Sequence, residues 1–152
     1  MNNFPSPAAD PTADLRADLT GAFGLPAWGS RLRVGTSIAL NFGLPLPDKA
    51  RRGQWRLSTY YAAWRIETPH AVLAGSEDSR EEMENGVATL EGKVLLDSAV
   101  ETPSLSAIFF FADEIRLRTF CYTREEDHWA LFRPDGMVRV AGSGYAWIFE
   151  EA

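Results

Sequence analysis

A cysteine nucleophile activated by a histidine is the first chemistry to consider, because the chain has one cysteine, Cys121, and His128 follows it in the sequence. Such a pair requires spatial contact and an electropositive setting that lowers the pKa of the thiol. Glu125, Glu126 and Asp127 directly precede the histidine, and their negative charges oppose formation of a thiolate. We therefore interpret Cys121 as a structural residue of a strand. With no second cysteine, the fold does not depend on an internal disulfide.

Two serines that lie near glycines are the next candidate nucleophiles, Ser76 in AGSED and Ser143 in GSGY. Neither fits G-x-S-x-G, the strand-to-helix elbow that exposes a catalytic serine. We interpret Ser76 as a helix cap, a role that Asp78 could also take, and Ser143 as a hairpin residue. The phosphate-binding motifs G-x-x-x-x-G-K-[ST] and G-x-G-x-x-G do not occur in the sequence. The sequence therefore predicts no catalytic residue and no cofactor.

Metal binding has equally little support, because the chain has only two histidines, His70 and His128. They form no H-x-x-x-H or H-E-x-x-H pair, and the sequence has no C-x-x-C. Glu67 and His70 have helical spacing, but Pro69 between them opposes the helix that would align them. The acidic cluster at 77–84 lacks the order of an EF-hand loop and is typical of a solvated helix face. We predict no metal site.

The stretch most suggestive of binding is ARRGQWRLSTYYAAWR, residues 50–65, where arginines alternate with large aromatic side chains. Residues 31–65 carry a net charge of +6, whereas the whole chain carries −6, so the remainder carries −12. Arginine and aromatic residues are enriched at protein interfaces, and separate charged faces steer partners. The predicted partner-binding residues are Arg51, Arg52, Trp55, Arg56, Tyr60, Trp64 and Arg65.

The same region admits two other kinds of binding site. Arginines interleaved with aromatic rings also suit single-stranded nucleic acid, but the net negative charge of the chain opposes general affinity for it. A small-molecule site or a cryptic enzyme would instead need a pocket inside a curved sheet. The predicted lining of that pocket is Tyr60, Trp64, Phe110 and Trp129.

The elements that must position these residues belong to a single β-rich domain. The chain length and a hydrophobic fraction of 45% predict one globular domain over residues 12–152, after a flexible tail at 1–11. Thr12 can cap a short N-terminal helix. A second helix is predicted at about 77–91, where an acidic first turn precedes an apolar stripe.

Period-two alternation of apolar residues predicts that most of the rest is strand. The predicted strands are 32–42, 54–66, 70–74, 93–100, 105–112, 115–122, 128–133, 137–141 and 145–149. A loop at 43–53 with two prolines separates the first two strands. Aromatics of both parities in the second strand mean either that both of its faces are covered or that a bulge shifts its register.

Short turns between the later strands, such as 113–114 and 134–136, force neighbouring strands to be antiparallel. Regular helices do not alternate with these strands, which disfavours a doubly wound fold. The predicted fold class is therefore α+β. It consists of a mainly antiparallel curved sheet or partly open barrel of about eight strands, with one packed helix and a short N-terminal helix.

From Trp64 onward the order of features resembles small bacterial domains of unknown function. The segments that carry the resemblance are WRIE, VLAGSEDSREEMENGVATLEGK, LSAIFFFADEIRLRTF and DHWALFRPDGMVRVAGSGYAWIFEE. In such domains a helix precedes several hairpins, and some are similar to immunity-type proteins of polymorphic-toxin systems, which bind and neutralise a toxin. The resemblance covers residues 64–152 and implies a non-enzymatic binding role, with no functional residues to carry over.

Together these observations predict a non-catalytic protein-binding domain, with an immunity-type role as its specific form. We expect a protein partner or self-association, and the charge disfavours nucleic acid. The N-terminus lacks the basic and apolar segments of a signal peptide, and no apolar stretch is long enough to cross a bilayer. We therefore expect a cytoplasmic protein with no membrane segment.

Overall fold

The structure is a computed structural model, and it describes residues 10–152. Most of the predicted N-terminal tail, residues 1–9, lies outside the described residues. The elements, numbered in chain order, are α1 (Pro11–Asp18), β1 (Trp28–Leu32), β2 (Ile38–Leu46), β3 (Lys49–Thr59), β4 (Ala63–Glu67), β5 (Val72–Gly75), α2 (Arg80–Ala88), β6 (Leu95–Val100), β7 (Ala107–Phe111), β8 (Arg116–Phe120), β9 (Trp129–Phe132), β10 (Met137–Gly142) and β11 (Ala146–Glu151).

The predicted α+β class is confirmed, since antiparallel strands are combined with a short N-terminal helix and one further packed helix. The strands form two sheets, of six strands in the order β1-β2-β3-β9-β10-β11 and of five in the order β5-β4-β8-β7-β6. There are eleven strands in residues 10–152 rather than about eight, partly because two long predicted strands are broken. Neither helix in this range is long and apolar enough to span a membrane.

The predicted strand 32–42 is in fact a hairpin. β1 ends at Leu32 and β2 begins at Ile38, and between them Arg33 N donates to Ser37 O at 2.8 Å. Gly35 has a φ of +74°, a conformation that glycine adopts without a steric penalty. Leu32 and Ile38 are paired across the hairpin, and both pack into the core. The period-two pattern therefore continues through the turn although the strand does not.

The predicted strand 54–66 is likewise two strands, and they belong to different sheets. β3 ends at Thr59 in the six-stranded sheet, and β4 begins at Ala63 in the five-stranded sheet. The aromatics have both parities because the chain changes sheet between Trp55 and Trp64. Neither of the two predicted explanations, full coverage or a bulge, is needed.

The predicted loop 43–53 is mostly strand, because β2 extends to Leu46 and β3 begins at Lys49. Pro45 is accommodated at an irregularity of the register, where it lies opposite Gly53. A proline cannot donate to a strand ladder, so such irregular positions are where strands accept it. Arg51 and Arg52, near the start of β3, therefore lie in the irregular part of this hairpin, between the paired residues Lys49 and Gly53.

The run of strands after α2 is divided between the two sheets. β6, β7 and β8 are sequential neighbours in one sheet, and β9, β10 and β11 are sequential neighbours in the other. The predicted short turns within each trio are confirmed. Asp113 and Glu114, which join β7 to β8, have positive φ values of 62° and 60°. Both values fit a tight hairpin connection.

The N-terminal helix begins at Pro11, and its cap is Asp10 rather than the predicted Thr12. Asp10 Oδ1 accepts from Ala13 N at 3.1 Å, and proline suits the first helical position because its missing N–H has no helical partner there. Thr12 Oγ1 instead donates to Val100 O at 3.1 Å and accepts from Val100 N at 2.9 Å. These bonds fasten α1 to β6.

The second helix is shorter than the predicted 77–91, because its cap is Ser79. The hydroxyl of Ser79 accepts from Glu82 N at 3.2 Å. The predicted apolar stripe, Met83, Val87 and Leu90, is buried as expected. The two residues predicted as caps accept from backbone N–H groups of β4 and β5: Ser76 Oγ from Trp64 N at 3.1 Å, and Asp78 Oδ2 from Gly75 N at 2.8 Å.

Side chains from both sheets form the main hydrophobic core, and a smaller cluster of Ala130, Val138 and Val140 lies apart from it. Phe42 of β2 stacks on Phe111 of β7 with ring centroids 6.3 Å apart, and Phe109 of β7 meets Trp129 of β9 edge-on at 5.9 Å. Trp147 packs edge-on against Trp129 at 5.7 Å. Each sheet therefore has an inner face in the core and an outer face turned away from it.

Candidate functional site

The outer face of the six-stranded sheet is defined by its register. Arg31 of β1 is paired with Ala39 of β2, and Ala39 is paired with Ser58 of β3. Paired residues of antiparallel strands point to the same side of the sheet. Leu40 and Leu57, which have the other parity, are buried in the core, so Arg31 lies on the outer face.

Positive and aromatic side chains extend this face on both sides of Ser58. Arg56 lies two residues before Ser58 and so shares its side of β3. Tyr60, just beyond the end of β3, packs with Phe132 against the same small hydrophobic cluster. The Arg56 guanidinium lies 4.5 Å from the centre of the Phe132 ring, and the Arg33 guanidinium lies 5.9 Å from that of Tyr60. We call the following group the arginine face: Arg31, Arg33, Arg52, Arg56, Tyr60 and Phe132.

None of the basic side chains between residues 31 and 56 forms a salt bridge with any described residue. Of the nine other lysines and arginines of the chain, seven do. Residues 1–9 contain no aspartate or glutamate, so they hold no carboxylate side chain that could pair with this group. The positive charge of the arginine face is therefore uncompensated by the protein's own side chains.

Arg56 is the most buried member of the group, with 7% of its surface exposed. Burial, together with the like charge of Arg52 and the more distant Arg33 and Arg31, lowers the pKa of Arg56 to about 10. Burial is also the main cause that lowers the pKa of Arg33. The Arg56 side chain still carries its charge at neutral pH. The four arginines are thus close enough to repel one another.

A cavity of about 460 Å³ adjoins the arginine face at Tyr60. Tyr61 and Tyr122 also line it, and both are largely exposed. Val34, at the tip of the β1–β2 hairpin, lines it as well and is 96% exposed. Ser76 and Glu77 are among its polar lining residues. Uncovered aromatic and aliphatic groups of this kind are typical of interaction sites rather than of ordinary surface.

The predicted partner-binding residues are only partly brought together. Arg52, Arg56 and Tyr60 lie in the arginine face, and Arg51 is exposed on the same strand. The other three are placed elsewhere. Trp55 Nε1 donates to Asp18 O of α1 at 3.0 Å; Trp64 is buried, with Nε1 donating to Thr36 O; and Arg65, in the five-stranded sheet, pairs with Glu67.

The four predicted pocket residues do not converge on one cavity. Trp64 and Trp129 are fully buried members of the core. Tyr60 lines the cavity beside the arginine face, whereas Phe110 lines a separate groove with Pro69. The core of the molecule is therefore filled where the prediction placed a pocket.

Cys121 and His128 are both buried. Burial raises the pKa of the Cys121 thiol to about 12, which keeps it protonated and poorly nucleophilic at neutral pH. Burial lowers the pKa of His128, and the ring stacks on Tyr145 with centroids 5.8 Å apart. Among residues 10–152 no group of three or more potential ligands is arranged to hold a metal ion.

The site residues predicted from the sequence did not include three members of the arginine face, namely Arg31, Arg33 and Phe132. The signal for the two arginines was present in the net charge of +6, which was counted from Arg31 onward. Phe132 carried no such signal, because its position depends on the pairing of β3 with β9 across a long separation in sequence.

Comparison with known proteins found no matching family model, no matching curated protein and no matching solved structure. The resemblance of residues 64–152 to immunity-type domains therefore stays a prediction. The function has to be argued from the arginine face and the cavity beside it.

Proposed function

We propose that this chain is a non-catalytic binding protein that uses the arginine face to bind an acidic protein partner. The observation that carries the proposal is the convergence of Arg31, Arg33, Arg52 and Arg56 with no carboxylate partner. Like charges held together cost stability, and a partner that supplies carboxylates removes this repulsion. Formation of the complex would therefore remove the repulsion among these arginines.

The composition of the face supports a protein partner. Arginine and tyrosine are enriched among the residues that dominate binding energy at protein interfaces. The exposed tyrosines of the adjoining cavity, Tyr61 and Tyr122, would extend the contact beyond the charged area. In the proposed complex the arginines pair with carboxylates and the tyrosines bury apolar surface.

Single-stranded nucleic acid is a poorer match to the same face. Binding of single strands needs aromatic rings that are free to stack on bases. The rings of Phe132 and Tyr60 are instead already covered by the guanidinium groups of Arg56 and Arg33. The remainder of the chain, with a net charge of −12, would also repel phosphates that extend past the face.

An immunity-type role, in which the bound partner is a toxin, is the specific form of the proposal that the C-terminal resemblance supports. A small-molecule site is the second candidate, and the cavity of about 460 Å³ favours it. Of the pocket residues predicted from the sequence, Tyr60 alone lines this cavity. Binding of a small molecule there would be abolished by Tyr61→Ala but not by charge changes at Arg52 and Arg56.

The test compares two probes of equal charge. One is a ten-residue peptide in which aspartate and glutamate residues are separated by glycines, and the other is a single-stranded oligonucleotide. We expect the purified protein to bind the peptide saturably at low salt, and binding to weaken at least tenfold in Arg33→Gln/Arg52→Gln. The matched control is Arg51→Gln/Arg116→Gln, which removes two unpaired arginines outside the face and should bind as the parent does.

Tighter binding of the oligonucleotide than of the peptide, or equal losses in the two double variants, would overturn the proposal. Sedimentation of the protein alone over a range of concentrations measures whether it self-associates. Self-association that disappears in Arg33→Gln/Arg52→Gln would identify a second copy of this acidic chain as the partner.

A further inference from the structure

A groove of about 280 Å³ lies at one end of the arginine face. It is bounded by the first half of β3, the end of β9 and the turn that leads into β10. Four basic residues are among those that line it: Lys49, Arg52, Arg56 and Arg133. No aspartate or glutamate side chain of residues 10–152 lines it, so the charged side chains of the groove are all positive.

Arg133 differs from the other three because its charge is already compensated. Its guanidinium lies 2.7 Å from Asp18 Oδ1 and 2.6 Å from Asp135 Oδ2. Lys49, Arg52 and Arg56 have no carboxylate within salt-bridge distance among the described residues. Three positive side chains around one groove therefore form no salt bridge with any residue in the described range 10–152.

Arg56 gives the groove its chemical character. The side chain is more than nine-tenths buried, and its guanidinium packs on the Phe132 ring, with no hydrogen-bond acceptor paired to it among residues 10–152. A guanidinium has five N–H donors, and a charged group that is largely removed from water is destabilised when these donors have no acceptor. An anion in the groove would satisfy these donors where the protein does not.

From this geometry we infer that the groove binds one phosphate group. A planar guanidinium presents paired donors to two oxygens of a phosphate, and a lysine ammonium adds a point charge. Three uncompensated cations match a dianion better than a single carboxylate. The volume also leaves room for part of the molecule to which the phosphate is attached. The inference goes beyond the proposed function, because carboxylates on an acidic partner could bind the face without entering the groove.

Inorganic phosphate is the first probe, titrated at constant ionic strength against chloride into the full chain with no tag after Ala152, which lines the groove. We expect saturable shifts of the arginine Nε–Hε signals in NMR spectra, with a midpoint in the millimolar range or below. In Arg56→Met, which keeps an unbranched side chain over Phe132, the midpoint should rise at least tenfold. Arg51→Met, which changes an exposed arginine outside the groove, should leave it unchanged.

Linear, unsaturable shifts in the parent protein would overturn the inference, and so would equal weakening in Arg51→Met and Arg56→Met. Thermal unfolding of each variant without phosphate shows whether the variants are folded. If Arg56→Met is unfolded, Arg52→Gln provides the same test from a partly exposed position.

Two further ligands identify the source of the phosphate. O-phosphoserine represents a free phosphorylated small molecule, and an acidic peptide with one phosphoserine represents a phosphorylated protein partner. Tighter binding of the peptide than of O-phosphoserine, with the difference lost in Arg31→Gln/Arg33→Gln, supports the protein source. Equal binding of the two supports the small molecule. Binding of the unphosphorylated acidic peptide without saturable phosphate binding would overturn this inference alone and leave the proposed function standing.

Discussion

The two sides of the six-stranded sheet differ in whether the charges of their poorly exposed arginines are paired with a carboxylate. On the inner side, Asp18 of α1 holds two arginines at once, with Arg133 at 2.7 Å and Arg139 Nε at 2.8 Å. On the outer side, Arg56 is at least as buried as either of them and has only an aromatic ring beside it. On the inner side a carboxylate forms ion pairs with the arginines, whereas on the outer side the arginine charge remains free to interact with a ligand.

The difference separates a structural use of charge from a use in binding. Asp18 connects α1 to β9 and β10, which are distant from it in sequence, so its ion pairs fix where the helix lies. The arginines of the arginine face form no ion pair with another element of residues 10–152, and their charges repel one another. An arrangement that costs stability without ordering the fold is characteristic of functional sites.

The largest effect should follow from removing the carboxylate of Asp18, which pairs with both Arg133 and Arg139. Asp18→Asn leaves the Arg139 guanidinium without a carboxylate and leaves Arg133 with Asp135 alone, and we expect the free energy of unfolding to fall by roughly 3–5 kcal/mol. Urea denaturation followed by tryptophan fluorescence measures the change. A double variant, Asp18→Asn with Arg139→Met, should recover part of the loss, because it removes the guanidinium that Asp18→Asn leaves without a carboxylate. A loss below about 1 kcal/mol for Asp18→Asn would mean that the inner pairs contribute no more than surface pairs do.

The same comparison shows what the sequence could and could not predict. The concentration of arginines from Arg31 onward was readable as a charge count, and alternation correctly placed most of the later strands. The partners of those arginines were not readable, because Asp18 lies more than 100 residues from Arg133 and Arg139 in sequence. Only the tertiary fold brings the end of α1 next to the β9–β10 hairpin, and no local pattern encodes that placement.

Site residues were hardest to assign where the chain changes sheet. Trp55, Tyr60 and Trp64 belong to one continuous aromatic segment, and alternation alone gave no reason to separate them. The break between Thr59 and Ala63 sends Trp55 towards α1 and Trp64 into the core, leaving Tyr60 on the arginine face. A break of three residues without glycine or proline carries no turn signal, so the sequence could not show it.

The pH dependence of stability should sharpen the comparison, because His128 is a second buried group whose cationic form is disfavoured. Its pKa in the folded chain is lowered by burial below the usual value of about 6.5, so the unfolded chain binds the proton more tightly. Unfolding free energy should therefore be unaffected above about pH 7 and should fall as the pH drops below about 6.5, by at most about 1.4 kcal/mol per pH unit. His128→Phe should remove this part of the dependence, as measured by urea denaturation at pH 7.5 and 5.5.

His70 provides the matched control for that experiment, since it is exposed. His70→Phe should retain the full loss of stability between pH 7.5 and 5.5. A profile that is unchanged in His128→Phe would show that carboxylates, rather than the buried histidine, set the acid sensitivity in this range. Arg56 differs from His128 because its pKa of about 10 keeps it charged throughout the same range.

The outer arginine itself gives a smaller effect, of opposite sign to that of Asp18. Arg56→Met removes a buried charge that has no carboxylate partner and keeps a side chain that can pack on Phe132. The gain from relieving burial and repulsion exceeds the lost cation–π contact, which is worth about 1 kcal/mol. We expect a net increase in unfolding free energy of about 1 kcal/mol in phosphate-free buffer, measured by urea denaturation. A decrease of similar size would show that Arg56 is structural, which would remove the contrast with Asp18.

The smallest effect should come from an ion pair that belongs neither to the Asp18 contacts nor to the arginine face. Arg16 and Asp97 join α1 to β6 with Nε 2.8 Å from Oδ1, but about half of each side chain is exposed. Water and salt screen such a pair, so Asp97→Asn should lower the unfolding free energy by about 0.5 kcal/mol, and the loss should vanish in 0.5 M sodium chloride. Asp18→Asn should keep most of its effect at the same salt concentration, because its partners are less exposed. If the two variants lost equal stability, distance alone would account for the strength of these pairs, and burial would not explain why the pairs of Asp18 should contribute more than a surface pair.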